Sequence, residues 1–280
     1  MTFPTFASRM ESSMGSDARA SIAALRHSHD RLTGLVQPLT PDEVSAQSYC
    51  SDWTVAQVLS HLGSGAEISL LMLRAALGEG EPAGQEAFQA IWDVWNAKSP
   101  DEQAADAVAA DEQHVRTLEQ LTDEQLDRAR MSFIGMELDA AGIVKLRLGE
   151  HALHTWDVAV MQDPAATVSP DAVALLVDNV PGFLAPRLGK PLGEPFSVRI
   201  RTTDPERDYL LTSAEGVAVI DWPGEQPAAD VAGTRVTEVS MPAEALLRLA
   251  YGRLDPEHTP ESVSGDPADL DRLRKIFPGF

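Results

Sequence analysis

Apolar and polar positions over the first two thirds of the chain repeat with the period of α-helices. In SDARASIAALRHSHDRLTGLVQPL, Ile22, Leu25, Leu32, Leu35 and Val36 fall at helical spacings behind a serine cap, which predicts a helix from Ser16 to about Val36, ended by Pro38. Thr40-Pro41 sets a cap before proline at the first helical position and predicts a short helix fading before Tyr49. Thr54 caps a long periodic run that stops near Gly78 and Gly80. Phe88, Ile91, Trp92 and Trp95 mark another helical stretch, Ser99-Pro100 a break, and Val108, Val115 and Leu118 a further helix. Residues Met131 to Glu137 read as irregular. Asp139 then caps AAGIVKLRLGEHALHTWDVAVMQD, which Pro164 stops. Ser169-Pro170 opens one more helix, and its internal Pro181 and Pro186 predict a kink or an irregular end. Long helices on short loops predict a bundle.

After KPLGEP the period changes from 3.6 to two. In PFSVRIRT, Phe196, Val198 and Ile200 alternate with Ser197, Arg199 and Arg201, the pattern of a strand with one buried face. Leu210-Leu211, Val217 to Ile220 and Ala232 to Met241 read as further strands, followed by helices opened by Pro242 and by Asp266-Pro267. The expected organisation is an N-terminal all-α bundle over residues 1–190 and a small α+β domain over 191–280.

Composition narrows the functional classes. A chain of 280 residues can bury a substantial core without covalent staples, and the single cysteine, Cys50, excludes an internal disulfide framework and any multi-thiolate metal site. The N-terminus lacks the pattern of a secretion signal and no apolar run approaches a membrane span, so a cytoplasmic location is expected. A formal charge of -21 repels nucleic-acid phosphates and anionic lipid, so neither is an expected partner. Between Glu79 and Asp127 stand 13 carboxylates against Lys98 and Arg116 alone, which reads as a solvated face.

The candidate chemistry lies on two helices. Leu146, Glu150, Leu153, His154, Asp157, Val158 and Met161 share one face of the helix after Asp139, and burying Glu150 there unpaired would cost several kcal/mol. On the helix after Thr54, Val58, His61 and Leu62 likewise share a face. Imidazole nitrogen and carboxylate oxygen are ordinary ligands for borderline divalent ions, and three protein ligands leave a coordination position open. Asp157 is a candidate orienting acceptor, a surface or capping role being the alternative. By spacing alone, Glu150 and His154 also read as a hydrogen-bonded pair, His61 as a core histidine, and His151 as a competing ligand to His154. His27, His29, His114 and His258 show no partner pattern. Trp53, Trp92, Trp95 and Trp156 read as packing residues, one of them free to line a pocket.

Asp52-Trp53-Thr54-Val55, leading through Val58-Leu59 to His61-Leu62, together with Glu150-x-x-x-His154-Thr155-Trp156-Asp157, resembles the mycothiol-dependent maleylpyruvate isomerase family of the DinB-like metalloenzyme superfamily. The resemblance spans nearly the whole chain and includes Leu246-Leu247-Arg248-Leu249-Ala250-Tyr251-Gly252-Arg253. It implies a DinB-like four-helix bundle whose His61, Glu150 and His154 hold a divalent metal, zinc being the expected ion. It also implies mycothiol as the low-molecular-weight thiol and a small electrophile as substrate. A metal-stabilised thiolate would add to a conjugated cis double bond, rotation would follow, and elimination would release the trans product. A transferase would release the adduct instead. Arg253 becomes the candidate grip on a substrate carboxylate, with a helix-dipole role as the alternative. The segment before Ser16 and the acidic stretch depart from the isomerases and leave the substrate open. A non-catalytic ligand-binding bundle is the competing class.

Overall fold

The structure is a computed structural model that describes residues 6–133, 135–224 and 234–279, with side chains described from residue 17 onward. It divides into two compact units, 1–166 and 167–280.

The first unit is built on four long helices: α1 (Phe6–Val36), α3 (Val55–Ala76), α5 (Pro100–Glu119) and α7 (Ala140–Ala159). Shorter helices α2 (Pro41–Ser45), α4 (Gln85–Asn96) and α6 (Asp123–Arg128) fill the connections. Helix α1 packs on α7 and α5, and α3 packs on the same two, closing a ring of four around one core. Leu25, Leu59, Leu62, Val115 and Leu148 are fully buried in the unit, each side chain contributing about 1.5–3 kcal/mol. Four expected caps hold the starts: Thr40 with Glu43, Thr54 with Gln57 and Ser99 with Glu102 form reciprocal capping boxes, and Asp139 accepts from the Gly142 amide, whereas Ser169 precedes Pro170 without a side-chain cap bond. Ser16 does not cap α1. The helix runs back to Phe6, because the residues after Pro4 include no helix breaker until Gly15 and a lone glycine is tolerated at a cost of about 1 kcal/mol.

Residues 131–137 are not irregular and the first unit is not purely helical. Strands β1 (Arg130–Phe133) and β2 (Met136–Asp139) pair antiparallel, Met131 opposite Leu138 and Phe133 opposite Met136. These four apolar residues are half-buried on one face while Arg130, Ser132 and Glu137 are exposed. Two four-residue strands are too short for alternation to stand out from a loop.

The second unit carries α8 (Pro170–Leu176), a π-helical turn (Val180–Leu184) and α9 (Ala185–Leu188), then strands β3 (Phe196–Thr203), β4 (Arg207–Ser213), β5 (Val217–Asp221) and β6 (Thr237–Pro242), and finally α10 (Ala243–Ala250) and α11 (Pro267–Ile276). The sheet order is β5-β4-β3-β6, antiparallel except for the parallel pair β3 and β6. The expected start of the last strand at Ala232 lies outside the described residues. Val198 and Ile200 are fully buried, whereas Arg201 is exposed and Arg199 lies on the sheet surface, forked onto Asp208. The irregular stretch expected at Pro181 and Pro186 is the π turn. The units meet at Ala166/Thr167, earlier than the expected 190/191, because α8 packs on α10 and the π turn on β5 and α10. Helical periodicity says that a segment has a buried face; it does not say which core receives it.

Candidate metal centre

Helix α3 starts at its Thr54 cap and brings His61 round two turns later, while α7 starts at its Asp139 cap and carries Glu150 and His154 one turn apart. The two helices pack together, and His61, Glu150 and His154 offer ligand atoms that all lie within 4.8 Å of one another. His61 Nε2 stands 3.2 Å from Glu150 Oε2, His154 Nε2 stands 3.9 Å from the same oxygen, and the two imidazole rings meet edge to face at 4.7 Å. The donor set suits a borderline divalent ion.

Glu150 is not buried as the shared-face argument expected. Its side chain is 47% exposed and that of His61 34%, so both open to solvent, while His154 is buried. The reason lies in α7: every residue from His151 to Val160 is buried, so the apolar stripe runs all round the helix and cannot distinguish one inward face. Met161, placed on the same stripe, is also exposed. Desolvation of the Glu150 carboxyl raises its pKa, but the His61 hydrogen bond and the charges of His154, His61 and Arg147 outweigh it and lower the pKa to about 2. At neutral pH the Glu150 carboxyl is therefore anionic.

Behind the trio, Asp157 is fully buried and its Oδ2 lies 2.8 Å from His154 Nδ1. A carboxylate at this place favours the tautomer with its proton on Nδ1, which leaves the Nε2 lone pair on the side of Glu150 and His61. The same oxygen accepts from Cys50 Sγ at 3.2 Å. Spacing gave no sign of Cys50, which reaches α7 from the loop before α3. Among the tryptophans, Trp53 is the one beside the site, its ring 5.1 Å from His61 and 5.9 Å from His154, whereas Trp95 and Trp156 are core. Asp157→Asn is expected to weaken metal binding about 10–100-fold without loss of the helical signal, measured by competition with a chelating dye.

His151 does not join the trio. It is fully buried and turned toward α1 and α5, with Nδ1 2.7 Å from Ser28 Oγ and Nε2 2.7 Å from Asp111 Oδ2. Asp111, also fully buried, accepts from His29 Nδ1 at 2.9 Å and from Arg147 Nη2 at 2.9 Å. Arg147 donates as well to the carbonyl of Leu62, next to His61, and Gly65 leaves it room: a Cβ there would lie 2.7 Å from Arg147 Nη1. Thus part of the acidic stretch read as a solvated face instead anchors the bundle core. Burial alone would raise the Asp111 pKa; the His151 contact, the His29 hydrogen bond and the Arg147 charge hold it well below the carboxylate range.

His114, buried nearby, is lowered to about 3 by desolvation and by the Arg147 charge. The unfolded chain therefore takes up a proton below pH 6.5 that the folded one refuses. Stability is expected to fall through that window, from 6.5 down to about 3, at roughly 1.4 kcal/mol per pH unit. Urea unfolding at several pH values checks this slope, which His114→Gln should flatten.

Arg253 lies in the second unit, after α10. It is buried, its Nη1 donates to the Tyr251 carbonyl at 2.9 Å, and its own carbonyl accepts from Arg248 Nη1 at 3.1 Å. The turn requires Gly252, at φ +73° with the Gly279 backbone 2.3 Å from where a Cβ would sit.

Two family comparisons cover most of the chain: residues 25–159 match the mycothiol maleylpyruvate isomerase N-terminal domain and residues 175–272 match the C-terminal domain of the same family. The chain belongs to the mycothiol-dependent maleylpyruvate isomerase family. Its solved relatives in fold include a crystal structure of the mycothiol-dependent maleylpyruvate isomerase and one of a histidine-to-alanine mutant of that enzyme. Each aligns at TM-score 0.63 and 13% identity over 89% of this chain and 92% of the other. No curated protein matches the sequence significantly. Among the described residues of this family member, no helix is long and apolar enough to cross a membrane.

Proposed function

We propose that this chain is a metal-dependent enzyme that uses a low-molecular-weight thiol, mycothiol, to isomerise a small cis-unsaturated electrophile of the maleylpyruvate type. The observation that carries the reading is the convergence of His61 Nε2, Glu150 Oε2 and His154 Nε2, backed by Asp157, in a chain that matches both domains of the isomerase family. His61, Glu150 and His154 would hold the ion, with zinc as the expected metal. When bound, a divalent ion supplies positive charge that keeps a thiol sulfur deprotonated near neutral pH. Glu150 stays anionic, Asp157 keeps the Nδ1 proton of His154 in place, and the Trp53 ring shields one side of the two imidazoles. Arg253 is assigned to a carboxylate of the substrate, because its planar fork makes paired charge-assisted hydrogen bonds.

The test is to incubate the metal-loaded protein with mycothiol and maleylpyruvate, following product geometry and free thiol together. The trans isomer with thiol fully recovered supports isomerisation. Stoichiometric loss of thiol into an adduct would replace it with thiol transfer, and unchanged reactants in the presence of bound metal would leave a non-catalytic bundle. In the same assay Arg253→Lys, which keeps the charge and loses the fork, is expected to raise KM roughly tenfold with little change in kcat. An unchanged KM would remove Arg253 from the substrate site.

A further inference from the structure

His154 faces a carboxylate oxygen on each of its nitrogens. Nε2 looks toward Glu150 and His61, while Nδ1 lies 2.8 Å from Asp157 Oδ2, the oxygen that Cys50 Sγ approaches to 3.2 Å. Cys50, His154 and Asp157 thereby form a second group whose ligand atoms all lie within 4.8 Å of one another. We propose that Cys50, Asp157 and Nδ1 of His154 make a second metal site, selective for thiophilic ions and sharing the His154 ring with the first.

The donor chemistry separates the two sites. The first set holds nitrogen and oxygen only, whereas the second adds a sulfur, and a thiolate ligand favours soft ions such as Cd²⁺ or Cu⁺. Three protein ligands of mixed N, S and O type leave one position open, as at other tetrahedral centres. Bond lengths of 2.0–2.3 Å in such a centre put its ligand atoms about 3.3–3.7 Å apart. The two edges at Asp157 Oδ2, 2.8 and 3.2 Å, need a small outward adjustment, and the third, between Cys50 and His154, lies within 4.8 Å.

Cys50 is held for the role. Its amide donates to Ser48 Oγ, its carbonyl accepts from Gln47 Nε2 and from the Trp53 amide, and Gln47 bridges to Thr54 at the start of α3. Cys50 is half-buried, while Asp157 beside it is a fully buried carboxylate whose charge an ion would compensate directly. Binding releases the Cys50 S–H proton to solvent; the His154 Nδ1 proton passes to Nε2 while the first site is empty and leaves to solvent when both sites are filled, the ring then bridging the two ions as an imidazolate. Asp157 then ceases to accept from His154, so occupancy of the second site perturbs the ring that the first site uses. This last consequence rests on the proposed function; the site itself does not.

Titration of metal-stripped full-length protein with Cd²⁺ alone tests the proposal, read by bound equivalents and by the ultraviolet thiolate-to-cadmium charge-transfer band. Wild type is expected to bind two equivalents, one of which brings the band. Cys50→Ser should lose one equivalent and the band, and His61→Ala should keep the band and lose the other equivalent. Asp157→Asn should weaken the band-forming equivalent at least tenfold, whereas a cysteine binding cadmium by itself would be unaffected. Thermal melts matching wild type show that each variant is folded, with Asp157→Glu as the carboxylate-retaining alternative if Asp157→Asn is not. A wild type without the band, or a band undiminished in folded Asp157→Asn, overturns the site. A band present while the His61-dependent equivalent is missing sinks the proposed function and leaves this site standing.

Discussion

Glu150→Gln is expected to leave the purified protein without stoichiometric metal and to lower turnover on the order of 10³-fold, since a catalytic ion contributes several kcal/mol and each 1.36 kcal/mol is a factor of ten. The Glu150 carboxylate stands between His61 and His154, and it is ionised across the neutral range because its two imidazole neighbours and Arg147 outweigh its desolvation. The amide has nearly the same shape and no charge, so it removes the anion from the donor set and keeps the packing. Because the side chain is 47% exposed, the melting temperature of the metal-free variant should match that of metal-free wild type. Elemental analysis and thermal melts of both proteins separate a lost ligand from a lost fold. Full metal occupancy in the variant would show that the trio is not the metal centre.

The second large effect is on folding. Asp111→Ala is expected to destabilise the protein by about 3–5 kcal/mol, the usual consequence of removing one partner from a buried ion pair. Asp111 is fully buried on α5 and faces His29 on α1 and both His151 and Arg147 on α7. Its loss strips a buried guanidinium of its carboxylate partner, while the hydrogen bond from Arg147 to the Leu62 carbonyl on α3 persists. The carboxylate thus joins α5 to α1 and α7, and through Arg147 the network reaches α3 at Leu62, the residue after His61. Chemical denaturation at pH 7 measures the loss. A shift below about 1 kcal/mol would mean that water or repacking satisfies Arg147, and that the network is incidental to stability.

Much of the architecture was legible from local chemistry. Thr40, Thr54, Ser99 and Asp139 announce helix starts because a side-chain oxygen before a periodic run satisfies amides that the first turn leaves bare. The alternation of Phe196, Val198 and Ile200 likewise announces a strand, since successive side chains point to opposite faces of a sheet. Where the reading departed from the structure, the missing information was long-range. The hairpin at Arg130–Asp139 is stabilised by pairing between two short segments, and the stretch from Pro170 to Leu188 is helical in either unit, its membership decided by packing against α10 and β5.

For the candidate site, the i, i+4 spacing of Glu150 and His154 follows from helix geometry alone, and the likeness of the motifs pointed to His61 as their partner. Only the tertiary structure decided the rest. It brought α3 against α7 so that His61 meets the pair, turned His151 away to Asp111, and laid the loop carrying Cys50 and Trp53 beside His154. It also left Glu150 at an open edge where sequence reasoning expected a buried one. The physical reason is common to all four. Periodicity encodes how a segment divides its residues between water and a core, but on a helix buried nearly all round that division vanishes, and which residue faces which neighbour is settled by contacts between segments far apart in the chain.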